Sequence, residues 1–155
     1  MTLDDVLLTP LTVHADDRGW LMELLRQDDY PTFLGFGQAY VTAIYPGAVK
    51  AWHRHQKQTD QQVCLVGSVK LVVGVQYLSR TGGPQEWEFR EVSMIAQAPV
   101  RVTIPPDIWH GVMNVGPETA LMVNMPVRVY DAGNPDEERL PAHGTVPYGW
   151  ARQDK

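Results

Sequence analysis

The sequence predicts an all-β domain of the sandwich or barrel type. Three observations carry this. Short apolar or alternating runs recur at roughly ten-residue intervals with turn signals between them. The 13 glycines and 12 prolines are scattered rather than clustered, which marks many turns. They also interrupt nearly every window long enough to hold a helix.

The runs follow in order. "LTVH" leads into the turn "ADDRG", and "WLMELLR" after it fits a strand or a helix. "QAYVTAIY" ends at Pro46-Gly47, "VKAWHRH" follows, and "QKQT" is a polar loop. "QQVCLV" turns at Gly67-Ser68 into "VKLVVGVQY", and "SRTGGP" reads as a loop. "EWEFREV" alternates, with Trp87 and Phe89 on one face. "VRVTI" runs into the turn "PPD", and "IWHGVMNV" turns at "GPE" into "TALMVNMPV". The expected organisation is one domain over 1–155. N-terminal strands occupy 1–37, a barrel core about 38–127, and a tail over 128–155 packs on the barrel.

Composition excludes several classes. A net charge of −5 with no block of Lys or Arg argues against a nucleic-acid surface. No apolar run is long enough to span a bilayer, and the N-terminus lacks a basic region followed by an apolar one. The single Cys64 cannot form an internal disulfide and reads as a small core residue. A cytoplasmic chain without membrane or nucleic-acid partners is the simplest expectation.

Chemistry concentrates in "AWHRHQKQTD". Gly47, His53, His55, Asp60 and Gly67 are separated by five, one, four and six residues. His53 and His55 share a strand face by parity, and Asp60 opens the next strand. Pro105, Pro106 and Asp107 form a turn before His110 and Asn114. If the strands close into a barrel, these side chains converge on one pocket. Three imidazoles and a carboxylate suit a first-row divalent ion, with His53, His55, Asp60 and His110 as ligands. The same groups without a metal can move protons. The spacing alone leaves both open.

This pattern resembles the two sequence motifs of the cupin superfamily, whose fold is a double-stranded β-helix, or jelly-roll, barrel. Asp60 replaces the usual glutamate, and Pro99 and Asp107 replace the second motif's glycines. A metal-dependent dioxygenase or isomerase, or a non-catalytic sugar-binding cupin, would fit such a domain. The chain further resembles the dTDP-4-dehydrorhamnose 3,5-epimerase family and its shorter relatives. The likeness runs from Asp17 to Trp150 through "DDRGW", "VKAWH", "IPPDIWHG" and "VYDAGNPDEERLP". These cupin-fold enzymes act on nucleotide-linked 4-keto sugars, generally without a metal.

The resemblance implies roles. His53 falls on the base that removes the proton α to the ketone, and Tyr130 on the proton donor of the opposite face. Arg18 matches an arginine that contacts the nucleotide diphosphate, often across a homodimer interface. Lys50 stands for another cation, and His110 lines the pocket. The implied partner is a nucleotide-sugar, and no cofactor is expected. Two departures stand out: Asp60 occupies the family's lysine position, and the aspartate that orients the base falls in a longer C-terminal segment, which leaves only the penultimate Asp154. Asp60 is therefore expected to orient His53, with the enolate stabilised by His55, His110 or Lys50. Gln58 and Gln62 face the pocket or solvate a loop. Trp52 and Trp109 oppose the histidines by parity and should pack, whereas Trp20 packs or stacks on a nucleobase. His14, His143 and the run "NPDEER" read as surface.

Overall fold

The computed structural model describes residues 1–29, 31–78 and 85–152. The loop expected over 79–84 and the carboxylate of Asp154 lie outside these described residues. A short 3-10 turn at Leu3–Asp5 precedes the strands. They are β1 (Leu7–Pro10), β2 (Val13–Asp16), β3 (Gly19–Met22), β4 (Tyr40–Ile44), β5 (Val49–Arg54), β6 (Asp60–Val66), β7 (Ser68–Tyr77), β8 (Glu86–Ile95), β9 (Val100–Ile104), β10 (Trp109–Asn114), β11 (Ala120–Asn124) and β12 (Glu138–Arg139).

Two five-stranded antiparallel sheets result, in the orders β1-β9-β6-β11-β4 and β12-β5-β10-β7-β8. β2 and β3 form a separate hairpin. The all-β jelly-roll expectation holds. The ambiguous "WLMELLR" contributes only Trp20 to Met22, at the end of β3.

Ile44, Leu71, Val73, Met94, Val102 and Ile104 fill the space between the sheets. The outer faces are covered as well. Leu11, Met22, Leu24 and Leu25 of the N-terminal segment lie over Val63, Val123 and Met125. Leu140, Tyr148 and Trp150 of the tail lie over Trp52, Val72 and Trp109. Tyr148 meets Trp52 edge-on, with centroids 5.6 Å apart. Lys70 Nζ fixes the tail by donating to the Ala151 carbonyl at 2.8 Å. Covering both faces explains why β7 is buried from Val69 through Val75 with no alternation.

One irregularity positions the cavity. On β10, His110 pairs with His53 and Val112 with Lys50. Only Gly111 lies between the partners on β10, whereas Ala51 and Trp52 lie between them on β5. This is a β-bulge, and its extra residue resets parity. Strict alternation would turn Lys50 away from His53, yet the register sets them opposite Val112 and His110, which share a face of β10. Ala51 and Trp52 pack into the outer aromatic cluster and also border the cavity. Gly111 makes the bulge sterically allowed. A Cβ there would stand 2.3 Å from Ala51 Cβ, 2.9 Å from Ala51 Cα and 3.1 Å from the Lys50 carbonyl.

Gly111→Ala is therefore expected to destabilise the fold by about 1–3 kcal/mol, the usual cost of overpacking. Gly149→Ala, where a Cβ meets nothing within 4 Å, should unfold as the wild type does in the same denaturant titration.

Candidate active site

A cavity of about 500 Å³ opens between the sheets. Tyr40 and Gln62 line it from the first sheet, and Lys50, His53, His110 and Arg139 from the second. An adjoining space of about 460 Å³ shares Tyr40, His53 and Arg139 and adds His55, Gln58 and Tyr130. A third, of about 480 Å³, shares His55, Gln58 and Tyr130 and extends past Lys57 and Arg128. The shared residues join them into a trough leading outward from the barrel interior.

His53, His55, His110 and Asp60 meet at its inner end, with one donor atom of each within 4.8 Å of the others. His110 Nε2 lies 3.1 Å from Asp60 Oδ2, and His55 Nε2 lies 3.5 Å from the same oxygen. The opposite nitrogens face backbone carbonyls: His110 Nδ1 meets Ile108 O at 3.0 Å, and His55 Nδ1 makes a short contact with Asp136 O. Both nitrogens of His110 thus face oxygens, while His55 Nε2 lies 3.5 Å from the Gln58 amide nitrogen as well as from Asp60. Gln58 Nε2 donates to the remaining oxygen, Asp60 Oδ1, at 3.1 Å.

The charges follow. Burial alone would raise the Asp60 pKa, but the hydrogen bonds from His110 and His55 outweigh it and hold the carboxyl well below the usual range. Burial also opposes charge on His55, but Asp60 and the Asp136 carbonyl outweigh it and raise that imidazole. His53 goes the other way. Burial, then the positive charge of His110 at a ring separation of 4.0 Å, hold it well below the ordinary imidazole value. Two imidazoles of one cluster, His53 and His55, are thus shifted in opposite directions, the kind of divergence that marks acid–base sites.

Asp60 does not orient His53 as the sequence suggested. It enters from β6 on the facing sheet, where His110, His55 and Gln58 take both of its oxygens. Among the described residues the His53 ring has no hydrogen-bond partner, while its backbone pairs within the sheet with Arg139 and His110. The other expected residues divide. Lys50 and Gln62 reach the inner cavity, and Gln58 bridges Asp60 and the outer trough. Tyr130 is 58% exposed and lines only the two outer spaces. Arg18 sits at the β2–β3 turn, paired with Asp16 at 2.5 Å, and lines none of the three. Trp52 and Trp109 are buried on the outer face, while Trp20 is exposed. His14 and His143 are on the surface, and Cys64 is buried. Asn114 is structural: its amide donates to the Ile44 and Glu118 carbonyls at 2.7 Å each.

The sequence reading passed over three residues. Asp136 accepts from the backbone N–H groups of Gln56 at 3.1 Å and of Lys57 and Gln58 at 2.9 Å, so the tail shapes the loop that carries His55. Arg139 sits opposite His53 in the β12–β5 pairing and lines both inner spaces. Tyr40 lines the same two from the facing sheet. The left-handed Asp107, at φ 64°, fills the glycine position of the second cupin motif, and its N–H donates to the His55 carbonyl at 2.7 Å.

Residues 14–138 match the family model described as the polysaccharide biosynthesis C-terminal domain. The chain belongs to this family. It is 37% identical to the "Probable low-salt glycan biosynthesis epimerase Agl13" of Haloferax volcanii, over 90% of this chain and 88% of that one. It is 32% identical to the spore coat polysaccharide biosynthesis protein SpsL of Bacillus subtilis, over 96% of each. Among solved structures, a dTDP sugar isomerase from Desulfovibrio desulfuricans superposes with a TM-score of 0.81 at 28% identity, covering 96% of this chain and 92% of that one.

The inner cluster also suits a divalent ion in kind. Both Nδ1 atoms rest on carbonyls, which aims the Nε2 atoms of His55 and His110 at Asp60 Oδ2. The same atoms are satisfied by two protons.

Asp60→Asn is expected to cost roughly 3–5 kcal/mol at neutral pH, since it removes the carboxylate that the buried His110 and half-buried His55 share. Asp60 has a depressed folded pKa, so its stabilisation is present above the unfolded carboxylate value and is lost as pH falls through the folded one. Denaturant titrations across pH should show the gap between variant and wild type closing in acid.

Proposed function

We propose that this protein is a nucleotide-sugar epimerase or isomerase that acts on a dTDP- or other NDP-linked 4-keto-6-deoxy sugar. The observation that carries this reading is the convergence of His53, His55, His110 and Asp60 beside a cavity that opens to solvent through the trough, with His53 held below and His55 above the ordinary imidazole value. A proton α to a carbonyl is too weakly acidic for imidazole in water, so the developing enolate must meet positive charge or donors. His53 removes the proton. His110, His55 and Lys50 supply the charge that a lysine supplies in the epimerases this chain resembles. Arg139, opposite His53 in the strand pairing, adds a second cation on that wall.

The reaction needs no cofactor on this reading, because the paired imidazolium rings do the work of a Lewis acid. A divalent ion held by His53, His55, Asp60 and His110 would supply that polarisation in the alternative. The protein acts in the cytoplasm as a homodimer. Support for the dimer comes from the β2–β3 hairpin, which leaves Trp20 64% and Leu21 60% exposed, with Arg18 at its tip. That hairpin brings Arg18 to the diphosphate bound by the second copy. No helix among the described residues is long and apolar enough to cross a membrane.

Incubation with dTDP-4-keto-6-deoxyglucose in deuterium oxide should introduce deuterium next to the ketone, read by mass spectrometry. His53→Asn should lower that rate about 10²–10⁴-fold. EDTA should leave it unchanged. A rate that depends on added iron or manganese would favour the metal-dependent reading, and dTDP-sugar binding without exchange would favour a binding protein.

A further inference from the structure

Inversion at carbon requires a proton donor on the face opposite the base. His53 projects from β5 in one sheet, and Tyr40 opens β4 at the edge of the other. Both line the inner cavity and the space beside it. Tyr130 is absent from the inner lining.

The hydroxyl of Tyr40 is held in a defined sense. Asn124 Oδ1 accepts from the Gln61 N–H at 3.1 Å, which fixes how the Asn124 amide is turned. Its Nδ2 therefore points at Tyr40 Oη and donates at 2.8 Å. Gln61 is itself anchored, its side chain donating to the carbonyls of Gly35 at 3.0 Å and Met125 at 2.8 Å. Tyr40 thus accepts from Asn124, and among the described residues its own O–H has no acceptor. Burial, then the negative charge of Asp60, raise the phenol and keep it protonated, against the smaller effect of Asn124.

We propose that Tyr40 is the catalytic acid, delivering its proton to the carbon on the face opposite His53. This rests on the epimerase reading and assigns the second half of its reaction. The C–H bond on one face breaks as His53 takes the proton, leaving an enolate. A new C–H bond forms on the other face as Tyr40 Oη gives up its proton. Water reprotonates the phenolate and accepts the proton from His53, so nothing is oxidised or reduced. Tyr130 then borders the outer part of the ligand.

The experiment compares wild type, Tyr40→Phe and Tyr130→Phe with dTDP-4-keto-6-deoxyglucose in deuterium oxide. Exchange of the α-hydrogen is read by mass spectrometry and the inverted product by NMR. Calorimetric binding of dTDP reports that each variant keeps a folded site. Tyr40→Phe should retain exchange within about tenfold, because His53 can return a deuteron to the face it came from, while losing at least a hundredfold in inverted product. Tyr130→Phe should keep the wild-type ratio of inversion to exchange. Inversion by Tyr40→Phe at the wild-type rate, or an equal loss of exchange and inversion, would overturn the assignment. Wild-type exchange without inverted product would overturn it and leave the enolate reading intact. No wild-type exchange at all would remove both.

Discussion

The site depends on a buried carboxylate that must be compensated. Asp60 is 1% exposed, and an ion in such a position is tolerated only with close partners. Two imidazole rings and one amide provide them, His110 Nε2 at 3.1 Å, His55 Nε2 at 3.5 Å and Gln58 Nε2 at 3.1 Å. The neighbouring ring responds to the same surroundings: burial first, and then His110 at a ring separation of 4.0 Å, hold His53 below the ordinary imidazole value.

That arrangement is built by distant parts of the chain. The bulge at Ala51 and Trp52 returns Lys50 to the cavity, and Gly111 leaves room for it. The tail reaches back 78–80 residues so that Asp136 can gather the backbone N–H groups of 56–58. Arg54 and Glu138, 2.8 Å apart, tie β12 to β5 beside it. The tail that covers the outer aromatic cluster therefore also sets the His55 ring, which couples folding of the second sheet to assembly of the site.

The sequence showed the parts that depend on local period. Turn spacing predicted the strands, and parity placed His53 and His55 together with Trp52 and Trp109 on the opposite face. The start of β6 at Asp60 was readable from the turn before it. What depends on non-local geometry was hidden. A one-residue bulge reverses parity, so Lys50 could not be placed by counting. Asp136 sits in a run of charges that ordinarily faces water, and nothing nearby shows that its acceptors serve a loop some 80 residues upstream. Asp60 is expected to orient His53 because the resemblance leaves no other suitable carboxylate for that ring, whereas its position on the facing sheet gives it His110 and His55. Trp20 had two plausible settings, core or ligand, and is exposed because the β2–β3 hairpin stands apart from both sheets.

The two-sheet architecture suits inversion for a geometric reason. An enolate is planar, and its two faces must be served from two directions. A base and an acid on neighbouring strands of one sheet would approach from the same side, because side chains on a shared face run roughly parallel. Facing sheets supply opposed directions without a mobile element. His53 comes from one wall and Tyr40 from the other, with the His110 and His55 rings beside His53. Asp60 crosses the same gap from β6 to reach His110 on β10, so a single buried ion triad both spans the two walls and polarises the space between them.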